Sequence, residues 1–188
     1  LPLKNKKIGI VASHPIPRNI KKDALGFVVD LQWKLHHKMS LLNPKFGELI
    51  AFRNLFGKID DTSVDEEYIA MLIKNQGLES IYTADSVVYN FGPRTISDFL
   101  KQKRRIYCGH LKLKKKSNYR VSTLDNFQVF SILLKEINLG NIFHVIFSIL
   151  IVSYGRLLGL FDYYTNKSHY VWEIAETTKK DDLGKDDI

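Results

Sequence analysis

Ser63-Val64-Asp65-Glu66-Glu67, Ser80-Ile81-Tyr82-Thr83-Ala84-Asp85-Ser86-Val87-Val88-Tyr89 and Gln102-Lys103-Arg104-Arg105 are successive pieces of one stretch, Ser63 to Lys116, which sets carboxylates, a strand and a basic helix in that order. Ile69, Leu72 and Ile73 recur at helical spacing and Gly77 supplies a stop, which predicts a helix over Val64 to Gln76. Its acids fall in the first turn, where the helix dipole favours negative charge. A capping box, Ser63 with Glu66 three residues on, accounts for the same acids without any chemistry. Ser80 to Tyr89 is rich in β-branched and aromatic residues and reads as a buried strand, followed by a turn at Gly92-Pro93. The next helix is expected to begin near Thr95, and it puts Asp98, Gln102, Arg105 and Gly109 on one face. An amide and a guanidinium one turn apart suit phosphate oxygens. A solvated basic face has the same pattern.

Taken in order, the acidic pair, Gly77, Ala84-Asp85-Ser86-Val87-Val88-Tyr89, Gly92-Pro93 and Gln102-Lys103-Arg104-Arg105 resemble the second half of the catalytic domain of family 2 glycosyltransferases. The resemblance covers roughly residues 8 to 125 and implies an α/β fold: a partial GT-A, Rossmann-like nucleotide-sugar transferase fold lacking its N-terminal nucleotide-binding half. It implies an inverting transfer from a nucleotide-sugar donor to a glycan or lipid acceptor. Asp65 or Glu66 is then the general base, and Gln102, Arg104 and Arg105 contact substrate. The order here is Asp-Glu where the family more often has Glu-Asp, so either acid fits the role. Ile106 stands where the family motif usually has Trp, which removes a stacking surface for an acceptor sugar. The complete enzyme is expected to use a divalent cation, Mg or Mn, whose Asp-x-Asp ligands belong to a half preceding residue 8. No Asp-x-Asp follows an apolar run in this sequence, and it has no Gly-rich phosphate loop.

Outward from that stretch, Leu1 to Lys7 is short and basic, without the apolar core of a signal peptide. Ile8 to Ala12 reads as a buried strand that Pro15 and Pro17 stop. Leu25, Val28, Leu35, Met39 and Leu42 follow one face of a helix from Lys22 to Leu42, which Pro44 ends. His36 and His37 within it lie about 100° apart on that helix and lack the i, i+4 geometry of paired metal ligands. A short strand is expected over Gly47 to Arg53; in the resembled family this stretch lies beside the acceptor, which makes Arg53 a substrate-binding candidate. Asp60-Asp61 fits a turn.

The 188 residues, 45% hydrophobic and 26% charged, describe a folded chain long enough for one domain. Cys108, the single cysteine, excludes an internal disulfide and reads as a packing residue. A net charge of +8 points to an anionic partner. No acid occurs between Asp98 and Asp125, while Lys112, Lys114, Lys115, Lys116 and Arg120 follow Arg105. A nucleic-acid module is disfavoured because no such motif accompanies the charge. Anionic lipid headgroups match better, since Asn141 to Phe161 is almost continuously apolar, interrupted by His144 and Arg156. That segment is long enough to span a bilayer, which takes about 20 residues, and it equally fits an interfacial helix or a core helix. The expected organisation is thus an acceptor-side catalytic half over 1–125, a helical membrane-spanning or interfacial segment over 126–176, and a polar tail over 177–188. The expected location is the cytoplasmic face of a membrane. A non-catalytic remnant that binds membrane or a partner enzyme is the alternative.

Overall fold

The computed structural model describes residues 1–18 and 23–171. The tail from Thr177 to Ile188 and the expected helix start at Lys22 lie outside the described residues. The chain is α/β, and the described residues form a three-stranded mixed sheet, β1 (Ile8–Pro17), β2 (Ile50–Phe52) and β3 (Glu79–Asn90), with five α-helices. The helices are α1 (Ala24–Leu42), α2 (Asp65–Asn75), α3 (Ile96–Ser117), α4 (Asn126–Leu134) and α5 (Ile142–Tyr164). Strand order is β2-β1-β3, β1 pairing antiparallel with β2 and parallel with β3.

The central strand β1 does not stop at its prolines. Ser13 N–H donates to Leu49 O on the β2 side at 3.2 Å, so the nitrogens of Pro15 and Pro17, two and four residues on, face that same side. The β2 pairing ends at Ala12. The two residues without an N–H therefore stand where no ladder bond is required, and β1 continues to Pro17 against β3 alone.

The sheet order also corrects the reading of Ser80 to Tyr89 as buried. As the edge strand, β3 has no fully buried residue, and the buried strand is β1. Between the pairs Ala12↔Tyr82 and His14↔Val87, β3 advances five residues while β1 advances two. The resulting bulge carries Asp85 and Ser86 outward. His14 Nδ1 meets Ala84 O at 3.2 Å inside it.

Helix α2 packs across β1 through Ile69, Ala70 and Ile73 on Ile10 and Ala12. Gly9 permits this, because a Cβ there would overlap Ile73. Gly77, at φ 75°, ends α2 as expected, its N–H donating to Lys74 O at 2.9 Å. Second and third apolar clusters join α1 to Phe99 of α3 and Ile151 of α5, and to Leu133 of α4 and Val145 of α5. A fourth, of Val64, Tyr68 and Met71 with Leu113 and Val121, fixes α2 against α3.

Candidate functional site

The capping box does not form. Helix α2 begins at Asp65 with Val64 as its N-cap and no side-chain cap. Ser63 is buried and its carbonyl instead accepts from Arg105 Nη1 at 2.9 Å. One turn further along α3, Gly109 touches the same segment, where a Cβ would overlap Ser63 Oγ and come within 2.9 Å of Val64 Cγ1. A glycine and an arginine four residues apart on α3 thus hold the entrance of α2. Thr95 does cap α3, its hydroxyl accepting from Asp98 N–H at 3.2 Å.

This docking brings Arg105 into electrostatic reach of Asp65 and Glu66. Burial and the neighbouring Glu66 push the Asp65 carboxyl above its ordinary value, and Arg105 opposes them. Burial lowers Arg105, against the pull of Glu66, Asp65 and Glu48. Gln102, half-buried, lies one turn before Arg105 on α3. Asp65, Glu66, Arg105 and the Gln102 turn therefore belong to one region.

Two other candidates are engaged elsewhere. Arg104 is rotated about 100° from Arg105 around α3 and forms a bidentate pair with the buried Asp162 of α5 through Nε and Nη2. Arg53 donates from Nε to Ile8 O at 2.8 Å and from Nη2 to Asn5 O at 3.0 Å and to Leu3 O, tying the first residues to the sheet. The third acid of the cluster, Glu67, is turned inward and 2% exposed, accepting from Phe46 N–H at 3.1 Å and Tyr119 Oη–H at 3.0 Å. Burial pushes it up to about 7, against Lys45 and these two donors. Such a value suits a general base, but an enclosed carboxylate cannot meet an acceptor hydroxyl.

The structure gathers cations that the sequence pattern did not group. Lys103 is pushed down to about 7 by burial and by Lys45 and Arg156, with Glu48 opposing. His110 falls to about 3 through burial and the fields of Lys45, Arg156, Lys103 and Arg105. His36, buried in α1, is driven well below its usual value by burial and by Lys45 and Lys103, and among the described residues neither ring nitrogen has a hydrogen-bond partner. Lys45, Lys103, Arg105 and Arg156 so form a cationic field around buried, neutral His110, and Lys45 and Arg156 also repel Lys103. No sequence period marks it, because it draws on a loop and two helices.

A cavity of about 120 Å³ lies on the α3 flank, lined by Thr62, Ser63, Tyr68, Gly109, Lys112 and His169 among others. Its volume matches about four waters and is below the usual size of a ligand pocket. Among the described residues no three His, Cys, Asp or Glu side chains converge as a metal set. Asp65 and Glu66 stand beside Arg105, whose fixed charge opposes that of a metal cation there, so these residues do not fit a divalent cation.

No protein-family model matches the chain, and no curated protein matches it.

Proposed function

We propose that the chain is the acceptor-side part of an inverting, family 2-type glycosyltransferase acting from a nucleotide-sugar donor on a glycan or lipid acceptor, at the cytoplasmic face of a membrane. The observation that carries this reading is the docking of Arg105 on Ser63, which sets a cation beside the acidic first turn of α2. Asp65, made more basic by burial and by Glu66, takes the proton of the acceptor hydroxyl. The hydroxyl oxygen bonds to the anomeric carbon, whose bond to the diphosphate oxygen breaks. That electron pair leaves with the diphosphate, and Gln102 and Arg105 stabilise the growing charge. A divalent cation of the complete enzyme would share this last task, on ligands outside this set.

A second reading, a non-catalytic remnant that binds membrane or a partner enzyme, is favoured by the large apolar side chains that α4 and α5 turn outward. One experiment separates the two. Full-length protein expressed from its complete reading frame is assayed in membranes with radiolabelled nucleotide sugars, as wild type, Asp65→Asn, Glu66→Gln and the double variant. Loss of about 10²–10⁴ in turnover for Asp65→Asn or the double variant, with membrane binding intact, supports the transferase. Undiminished turnover in the double variant, or none in the wild type with any nucleotide sugar, overturns it.

A further inference from the structure

We infer that α5 lies in the headgroup plane of an anionic bilayer, beside α4, and does not cross the membrane. The inference rests on the membrane association proposed above and is independent of the chemistry. By length and composition α5 qualifies as a span, with 23 residues and a mean hydropathy of 1.8 over its most apolar 18. Its two faces decide otherwise. The buried face is Val145, Ser148, Ile151, Gly155, Gly159 and Asp162, largely small or polar and spaced three or four residues apart. The opposite face carries Phe143, Ile146, Leu150, Leu157, Phe161 and Tyr164, between 48% and 82% exposed. A helix on a water-facing surface has the reverse arrangement.

Helix α4 repeats the inversion, with Phe127, Phe130 and Leu134 each more than half exposed. Its ends meet α5 in antiparallel order, Arg156 Nη1 donating to Asn126 Oδ1 at 3.0 Å near one and Leu133 sharing an apolar cluster with Leu31 of α1 and Val145 near the other.

The inner face of α5 cannot be given to lipid. Gly155 and Gly159 lie directly against α3, and Asp162 is paired with Arg104 and with His169 Nε2 at 2.7 Å. Crossing would carry α3, with its lysines and arginines, into hydrocarbon, or strip Asp162 of its partners. An in-plane helix immerses only the outer stripe and leaves α3 dry of lipid.

Charge selects lipid as the occupant. Helices α3 and α5 run parallel, Phe99 packing with Ile151 and Lys112 Nζ donating to Lys167 O at 2.7 Å. The acid-free basic end of α3, with Lys114 and Lys115 exposed, is thereby set at the C-terminal end of the apolar stripe. Cations flanking an apolar face match anionic headgroups above an acyl layer.

The test uses the full chain purified in mild detergent and added to vesicles of phosphatidylcholine with or without phosphatidylglycerol. Environment-sensitive fluorophores are placed through Phe143→Cys, Leu150→Cys, Leu157→Cys and Tyr164→Cys, Cys108 being buried and shielded. Quenching by lipids labelled at shallow and deep acyl positions then reads depth. The expected result is binding at least about tenfold tighter to the anionic vesicles, with all four probes shallow and level. Loss of binding in the folded double variant Leu150→Asp, Leu157→Asp adds support. A profile deepest at Leu150 and Leu157 with shallow ends means a span, which overturns the in-plane placement while membrane association stands. Absence of vesicle binding, with the stripe buried in a defined protein oligomer, overturns both. Full vesicle binding by the double aspartate variant also sinks the proposal.

Discussion

Asp65, Glu66 and Glu67 are three adjacent acids in one helical turn, and their environments give them different work. Helical rotation leaves the first two beside Arg105 and buries the third between the Phe46 amide and the Tyr119 hydroxyl. The acids and the stretch that holds Arg105 were legible in the sequence, but which acid turns inward depends on where α2 begins. A start at Asp65 with Val64 as N-cap, one residue later than a Ser63 cap would give, is set by Arg105 and Gly109 pressing on Ser63, contacts more than forty positions away in the chain. The buried Glu67 makes a testable demand on stability. Its folded value near 7 exceeds the ordinary 4.5, so between those values the native state holds a proton that the unfolded chain has lost. Stability from this group is full below about 4.5 and falls as pH rises through 7, by about 3 kcal/mol in all. Urea unfolding of the wild type at pH 5 and pH 8 is expected to show this fall and Glu67→Gln to flatten it. An equally steep fall in Glu67→Gln would assign the effect to another group.

At the level of elements, period and punctuation located the segments well where each depends on its own residues. The α2 stop at Gly77, the α3 start at Thr95 and the long apolar α5 all follow from local chemistry. What failed were statements about neighbours. Pro15 and Pro17 end a strand that is paired on both sides, but β1 has lost its β2 neighbour there, and β3 is apolar yet lies at the sheet edge. The glycines of α5 belong to the same class, for only the packing shows that Gly155 and Gly159 let α3 approach. A Cβ at Gly159 would stand 2.7 Å from Arg104 O, a backbone atom, whereas at Gly155 it would stand 2.8 Å from Lys103 Cβ, a side-chain atom on its own backbone tether. Neither atom moves when a side chain rotates, but at Gly159 Tyr107 Cβ at 3.1 Å and Cys108 N at 3.3 Å crowd the same point, whereas at Gly155 the next atoms stand at 3.6 Å. Gly159→Ala is therefore expected to destabilise more than Gly155→Ala, within the usual 1–3 kcal/mol or so for overpacking. Thermal unfolding monitored by circular dichroism checks the order, and equal or reversed shifts would show that α3 and α5 separate more freely than their contact implies.

For the whole molecule, the net charge of +8 favours an anionic partner without saying where one would bind. The fold brings Lys45, Lys103, Arg105 and Arg156 to bear together on the buried His110 of α3, with Lys45 and Lys103 also acting on the buried His36 of α1 and Lys45 and Arg156 on Lys103. Such a set stores repulsion. Burial first, and then Lys45 and Arg156, lower Lys103 to about 7 from the ordinary 10.5, so the unfolded chain binds the extra proton between those values and stability from this group rises with pH across that window. A diphosphate held among these cations would oppose the balance by favouring protonated Lys103 and offsetting the positive field. Inorganic pyrophosphate is therefore expected to raise the unfolding temperature of the chain near pH 7 and low salt, as any ligand of the native state must. The rise should shrink toward pH 9, where Lys103 is neutral without a ligand. It should be lost in Arg105→Gln and reduced in Lys103→Met, although Lys103→Met alone removes a desolvated cation and should unfold no earlier than wild type at neutral pH. Sulfate at matched ionic strength controls for general screening. If pyrophosphate stabilises Arg105→Gln as much as wild type, the cationic field is a feature of packing alone, and the phosphate-binding role proposed for α3 fails with it.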